Sequence, residues 1–319
     1  MEMQELSVTG GQDSSGHDCH GGKVRALEFF SGIGAFAQTA CAFNIEVVAA
    51  FDQSESANAT YALNYGLQPC ARNLDTIAAG GLPHAAIWWM SPPCTPFSIR
   101  GKRLDDCDPR AASFLNLIDI ASRRLPEAII VENVAGFVGS RVSIRFLAVL
   151  KDCGYQLHEF DLCPTAFGVP MRRPRHFVAA VRGTRRLNVQ SFPGAAWQPL
   201  AHFLDTVYNP ELIVDAAVME RYQQGFDIVD PIHDDSYLTC FTSGYWRCRK
   251  ASGSLISLPG GGARRVSPDE IVRLLGFAAD FTFPDKLDLP TRYRLAGNSV
   301  DVRAVRFLLE SIGCKAMRC

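Results

Sequence analysis

A chain of 319 residues exceeds the usual single domain of roughly 100–200, so one large domain with an insertion, or two domains, is expected. With 47% hydrophobic and 20% charged residues it has a globular balance, which excludes disorder over most of its length and excludes coiled-coil, collagen-like and low-complexity architectures. The 32 Lys and Arg against 33 Asp and Glu leave a net charge near −1, so nucleic acid cannot be held by bulk positive charge and would need local basic clusters.

Residues 1–21 are polar and Gly/Ser-rich without an apolar signal core, and read as a disordered tail. Within it His17-Asp18-Cys19-His20 belongs to the tail rather than to a metal site. Strand-length apolar runs then alternate with helical periods: strand over 23–30, helix over 35–43, strand over 46–52 and helix over 54–64. A strand over 86–90, a helix over 112–124, a strand over 127–132 and a helix over 142–151 follow. This alternation predicts an α/β fold with a parallel, doubly wound, Rossmann-like sheet covered by helices on both faces. Two more strands, over 155–162 and 176–181, close that half. From about Arg185 scattered prolines and the Gly260-Gly261-Gly262 run break regular periodicity and mark a loop-rich second part. Ser267-Pro268-Asp269-Glu270 supplies an N-cap, a proline at the first helical position and an acidic first turn, and a last helix is expected over 300–312.

No run of about 20 apolar residues is long enough for a membrane span, so the protein is expected in the cytoplasm, with the nucleus as a second location and no membrane partner. In that reducing setting the eleven cysteines are thiols rather than a disulfide framework. No pair is spaced C-x-x-C, and no metal site is expected.

The first strand runs into Phe30-Ser31-Gly32-Ile33-Gly34-Ala35-Phe36-Ala37, a G-x-G-x-x-A turn that lets the backbone approach a ligand. Asp52 follows at the end of the next strand, where a carboxylate receives ribose hydroxyls. An adenosine-bearing cofactor fits, with NAD, FAD and S-adenosylmethionine all open at this point. Pro92-Pro93-Cys94-Thr95-Pro96 then places one thiol in a proline-stiffened loop, suited to a nucleophile once nearby positive charge lowers its proton affinity. The apolar run 129–131 delivers Glu132 and Asn133 to the same sheet edge.

Ser31-Gly32-Ile33-Gly34, Pro92-Pro93-Cys94-Thr95-Pro96-Phe97-Ser98, Glu132-Asn133-Val134, Arg173-Pro174-Arg175 and Gly297-Asn298-Ser299-Val300 occur in the order and approximate spacing of the DNA (cytosine-5) methyltransferase family, which the chain resembles over about 24–312. Cys240-Phe241-Thr242, Gly244-Tyr245 and Gly253-Ser254 are similar to its tRNA(Asp) cytosine-5 methyltransferase (Dnmt2-like) subfamily. The resemblance implies a catalytic domain over 22–184 plus 286–319 and a small target-recognition domain over 185–285. It implies that Cys94 attacks cytosine C6, Glu132 protonates N3, and Arg173 and Arg175 neutralise charge around the base. It further implies that Phe30, Ser31, Gly32, Ile33, Gly34, Asp52, Asp75, Asn298 and Val300 hold S-adenosyl-L-methionine, released as S-adenosyl-L-homocysteine. Pro93, Thr95, Ser98, Asn133, Cys240, Phe241 and Thr242 would meet the substrate. Thr95 and Met171 stand where relatives often carry Gln, and Ala35 where Gly is frequent.

The implied partner is tRNA, most specifically the anticodon loop of tRNA(Asp), with DNA a weak second ligand and the protein a monomer. Basic clusters at 172–175, at Arg182, Arg185 and Arg186, at Arg247, Arg249 and Lys250, and at Arg264 and Arg265 are candidates to follow RNA phosphates. The third of these interleaves with Phe241, Tyr245 and Trp246 and is the expected contact near the target base. The alternatives are a DNA cytosine-5 methyltransferase and a non-catalytic nucleic-acid-binding protein of the same fold.

Overall fold

The computed structural model describes residues 22–97, 104–189, 194–247 and 252–317. The expected tail with its 17–20 segment, and Ser98, Cys248, Arg249 and Lys250, lie outside the described residues.

The alternation read from sequence is realised as β1 (Val24–Phe29), α1 (Ala35–Ala40), β2 (Ile45–Phe51), α2 (Glu55–Tyr65), β3 (Ile87–Met90), α3 (Ala112–Arg124), β4 (Ala128–Asn133), α4 (Arg141–Asp152) and β5 (Gln156–Leu162). After β6 (Met171–Arg172), β7 (Arg175–Val181) completes a six-stranded sheet of order β2-β1-β3-β4-β7-β5. Its central strands β3 and β4 are buried throughout, as strands covered on both faces must be. Successive side chains part to opposite faces: Trp89, Ile130 and Ala179 pack with Phe36 on one side, Trp88, Ile129 and Val178 with Phe114 on the other. On α3, Phe114, Leu117, Ile118 and Ala121 fall on one stripe at helical spacing, which fixes the face it buries.

A wholly parallel sheet is corrected on one point. β1, β2, β3 and β4 pair in parallel, but β7 runs antiparallel to both β4 and β5. The link from β5 contains a 3-10 turn (Pro164–Phe167) and the two-residue β6, with no helix to carry the chain back along the sheet.

The remaining elements are α5 (Ala216–Tyr222), β8 (Ile228–Val229), β9 (Leu238–Thr239), β10 (Leu255–Ser257), β11 (Ala263–Arg265), α6 (Pro268–Leu274), α7 (Leu289–Asn298) and α8 (Val302–Ser311). β8, β10 and β11 form a small sheet, while β9 pairs with β6. Leu200, Phe203, Leu238, Phe241 and Tyr245 belong to the same apolar cluster as Phe36 and Phe177, so this part shares its core with the main sheet. Ser267 and Glu270 close a capping box at α6, with Ser267 Oγ accepting the Glu270 N–H at 3.0 Å and Glu270 Oε2 accepting the Ser267 N–H at 2.7 Å. The expected last helix begins later, at Val302 with Asp301 as its cap. Sequence periodicity missed α7 before it, which is capped by Asp288 with proline in its first turn. Met171 is fully buried in β6, so its departure from the family pattern falls on packing and not on target contact. Ala35 is simply the first residue of α1.

Candidate active site

Strand order reverses direction between β1 and β3, and a cleft outside the carboxyl ends of the strands opens where the chain switches sides. A cavity of about 490 Å³ lies there, reached from β1, β2, β3 and β4 at once. On its left wall the turn after β1 is held open by left-handed backbone at Phe30 (φ 56°), Gly32 (54°) and Gly34 (88°). A Cβ on Gly34 would come within 2.2 Å of the Tyr65 ring, so glycine is required there twice over, for conformation and for space. Asp52 ties the turn to β2, its Oδ2 accepting the Gly32 N–H at 2.9 Å and its Oδ1 the Ser54 N–H at 2.8 Å. Phe30, Ser31, Gly32 and Ile33 line the cavity; Gly34 supports them from behind. Asn298 and Val300 line it from the end of α7 and beyond, and Asp75 from a loop where Ser113 donates to its carboxylate.

The right wall is the proline-rich loop after β3. Asn133 does not line the cavity but reaches behind this loop, its Nδ2 donating to the Pro92 carbonyl at 3.2 Å. The Phe97 N–H closes the loop on the Cys94 carbonyl at 3.0 Å. Pro93, Cys94 and Thr95 line the cavity, and the Cys94 side chain is exposed to it. Glu132, 8% exposed, enters from the end of β4, and Arg175 Nε stands 3.2 Å from its Oε1.

Burial pushes the Glu132 carboxyl above its ordinary proton affinity, against the pull of Arg175 and Arg173. Packing also pushes the Cys94 thiol up, Glu132 adds to this, and Arg175 and Arg173 do not compensate. Positive charge therefore does not hold Cys94 as a thiolate here, contrary to the sequence expectation, because the arginines are committed elsewhere. Burial opposes the Arg175 charge, but Cys240 and Glu132 outweigh it and raise its proton affinity. The Cys240 sulfur, 3.4 Å from Arg173 Nη1 and 3.9 Å from Arg175 Nη2, is desolvated yet drawn below its ordinary value by those two cations.

The structure places several of the expected site residues off the cavity or engages them with other parts of the fold. Arg173 touches the cavity but its guanidinium donates to the carbonyls of Phe241 (2.5 Å), Gly297 (2.9 Å) and Ser299 (2.6 Å), so its hydrogen bonds fasten segments together. Cys240, Phe241 and Thr242 do not line the cavity. Phe241 is fully buried against Tyr245 in an edge contact at 4.9 Å, and the Thr242 backbone packs so closely on Gly297 that a Cβ there would lie 2.6 Å away. The aromatic cluster packs on the core: the half-buried Trp246 stacks on the buried Tyr293 at 5.4 Å with Arg265 over it at 4.7 Å. Members of two basic clusters are also engaged internally, Arg185 with Glu127 at 2.9 Å, Arg182 with the Leu125 carbonyl and the buried Arg264 with Glu270 at 2.8 Å, whereas Arg172 and Arg247 are exposed.

Sequence reasoning missed Arg72, Arg110 and Arg294, which line the cavity singly and so form no run. It also missed Glu28, buried in β1 and lining the same space. Two buried polar atoms on the left wall, Ser31 Oγ and Glu28 Oε1, have no hydrogen-bond partner among the described residues. Orphaned polar atoms beside an open glycine turn and the Asp52 carboxylate fit a polar adenosyl amino acid such as S-adenosylmethionine.

A Rossmann-like sheet whose switch point joins such a turn to a proline-held thiol and a buried Glu defines a methyltransferase of the cytosine C5 class. The chain belongs to the C-5 cytosine-specific DNA methylase family, whose profile matches residues 24–208 and 216–314. It is 30% identical to the tRNA (cytosine(38)-C(5))-methyltransferase of Schizosaccharomyces pombe, over 90% of this chain and 96% of that protein. The crystal structure of S. pombe Dnmt2 methyltransferase superposes with a TM-score of 0.79 at 29% identity, covering 91% of this chain and 100% of that one. The Entamoeba histolytica methyltransferase EhMeth superposes with a TM-score of 0.84 at 28% identity, covering 91% and 98%.

Proposed function

We propose that this chain methylates C5 of a cytosine in tRNA, at cytosine 38 as in the named S. pombe relative, with the anticodon loop of tRNA(Asp) as the substrate. The observation that carries the reading is that Cys94 and the Arg175-held Glu132 share one cavity with the 30–34 turn.

Cytosine C6 accepts a nucleophile only when electron density is drawn toward N3, so a nucleophile and an acid must act on one ring. Glu132 supplies the acid, since burial favours its protonated form, and Arg175 orients the carboxyl. Cys94 sulfur bonds to C6 as its proton passes to solvent and Glu132 gives its own to N3, and C5 gains enamine character. S-adenosylmethionine supplies an electrophilic methyl carbon and leaves as S-adenosylhomocysteine. Phe30, Ser31, Gly32, Ile33, Asp52, Asp75, Asn298 and Val300 are the residues that would hold it. Transfer of the C5 proton to water then expels Cys94 as thiolate, N3 returns its proton to Glu132, and the ring is restored.

A base already unpaired in a loop enters such a pocket at least cost, which favours tRNA. Arg72, Arg110 and Arg294 on the cavity wall supply positive charge near an incoming strand. The nearest rival is a DNA cytosine-5 methyltransferase. Labelled S-adenosylmethionine with tRNA or genomic DNA decides between them: label in tRNA supports the reading, label in DNA alone overturns it, and full activity in Cys94→Ala overturns the covalent mechanism. The same reading takes the enzyme as a metal-free cytoplasmic monomer, with the nucleus a second location and DNA a weak ligand. Activity surviving EDTA, a monomer mass by light scattering and imaging of a tagged protein test these.

A further inference from the structure

Cys240, expected to meet the substrate, stands behind the cavity wall, and the proposed reaction gives its thiol no part. It directly follows β9, whose pairing with β6 brings its sulfur to the two arginines just beyond β6. Arg173 Nη1 donates to the sulfur at 3.4 Å, and Arg175 turns its Nη1 and Nη2 edge to it at 4.0 and 3.9 Å. The Nε side of the same Arg175 guanidinium faces Glu132 Oε1 at 3.2 Å. One planar cation thus has a thiol on one edge and a carboxyl group on another. Two more thiols stand close: Cys94, which feels both Glu132 and Arg175, and Cys163, whose sulfur accepts the Arg173 backbone N–H at 3.3 Å. Arg173 is 3% exposed and the Arg175 side chain 17%, and two buried like charges need an anion beside them. Among the described residues the acidic groups in contact with these two side chains are Glu132 and Cys240.

If Glu132 is to keep its proton for N3, the anion must be the thiol. We propose that Cys240 is a thiolate counter-ion to Arg173 and Arg175, and that by occupying these cations it keeps the proton on Glu132. Cys240 is then a positioning residue, which acts through Arg175 and touches neither base nor cofactor. The inference rests on the methyl-transfer reading, in which Glu132 is the acid. Burial opposes the thiolate, but Arg173 and Arg175 outweigh it and draw the Cys240 thiol below its ordinary value. Burial holds Glu132 above its own, against Arg175 and Arg173. Of the two anionic influences on Arg175, Cys240 is the larger and Glu132 the smaller. When two acids share one pair of cations, the one that ionises first weakens the pull on the other. Removing the thiolate hands Arg175 back to Glu132 and Cys94, and both should then ionise at lower pH.

Brief iodoacetamide pulses at a series of pH values, read by peptide mass spectrometry, titrate the thiols of the wild-type protein. The rate at Cys240, normalised to its own plateau, is expected to reach half-maximum below the ordinary thiol value of about 8.5, and the rate at Cys94 above it. The second measurement is the pH profile of methyl transfer from labelled S-adenosylmethionine to tRNA. Cys240→Ser keeps the size of the side chain and removes its charge, and both limbs of its profile are expected about one pH unit more acidic than in wild type. Cys240→Asp supplies a permanent anion and should return the limbs toward their wild-type positions. A side chain that merely filled space would change the rate or the melting temperature in both variants and move neither limb. An ordinary or raised Cys240 titration, unmoved limbs in Cys240→Ser, or limbs that move equally in Cys240→Asp overturns the inference. Should Cys240→Ser fail to fold, the wild-type alkylation midpoint decides. A wild-type profile that Glu132→Gln leaves unaltered overturns Glu132 as the acid instead, an outcome distinct from an ordinary Cys240 thiol in an enzyme whose profile does depend on Glu132.

Discussion

The two walls of the cleft each present a buried glutamate from the end of a parallel strand, and burial raises the proton affinity of both. Their neighbours differ. Glu132 has Arg175 at 3.2 Å and Arg173 behind it, so part of the burial cost of its charge is offset. Glu28 has a phenol, backbone amides and a second carboxylate, and no cation. The same side chain thus sits in two electrical settings: on the right wall a buried acid beside a permanent counter-charge, on the left a buried acid with no counter-charge among the described residues. Position on the sheet supplies the burial, and the neighbouring element supplies the sign.

The sharpest way to break this contrast is Glu132→Gln, which keeps shape and hydrogen-bonding capacity but removes the transferable proton. Methyl transfer is expected to fall by about 10²–10⁴-fold, with cofactor affinity little changed. The pH profile should also change shape. Wild-type activity should rise with pH as Cys94 loses its proton and fall as Glu132 does, and the variant should lose the falling limb. An unaltered rate in Glu132→Gln would remove Glu132 from the chemistry.

Glu28 breaks the contrast from the other side, and through stability. Its folded-state value of about 8 lies above the unfolded 4.5, so between these the folded protein binds the extra proton and stability declines as pH rises. From about pH 5 to about pH 8 this single group should cost the cofactor-free protein on the order of 3 kcal/mol, a loss that Glu28→Gln should abolish. Urea denaturation at both pH values measures it. A variant with the wild-type pH dependence would mean that Glu28 is ionised in the folded protein.

What could be read from sequence follows from the range of the interaction. The βα alternation, the 30–34 turn with Asp52, and the Pro-held Cys94 are local patterns, and each was visible because the chain itself carries the constraint. The antiparallel entry of β7 depends on what the 163–174 link lacks. α7 was missed because Arg292 and Arg294 flank Tyr293 and blur the apolar stripe. Phe241, Tyr245 and Trp246 looked like a base-stacking surface beside basic residues, and only the structure shows that Phe241 and Tyr245 fill the core with Trp246 half-buried against it. Arg173 and Arg175 are two residues apart in sequence and indistinguishable there, yet one binds three carbonyls and the other a carboxylate.

That last pair gives the next prediction. Arg173→Met strands the Phe241, Gly297 and Ser299 carbonyls in a buried place, and should destabilise the protein by about 3 kcal/mol. Arg175→Met leaves Glu132 without its cation and should act mainly on rate, by about tenfold to a hundredfold, with a smaller change in melting temperature. Equal loss of stability in both variants would mean that the two arginines form one structural unit.

The smallest expected effect belongs to Ser31, and it sharpens the left wall most finely. The residue is 7% exposed and its hydroxyl oxygen has no partner among the described residues, so in the cofactor-free protein it contributes desolvation cost and no hydrogen bond. Ser31→Ala should therefore leave the free protein within about 0.5 kcal/mol of wild type, on the stabilising side. If the hydroxyl is kept for the cofactor, the same variant should weaken S-adenosylhomocysteine binding by about fivefold, the size of one neutral hydrogen bond. Destabilisation by more than about 1 kcal/mol would show that Ser31 is bonded in the free protein, and Glu28 Oε1 would then be the left-wall oxygen without a partner among the described residues.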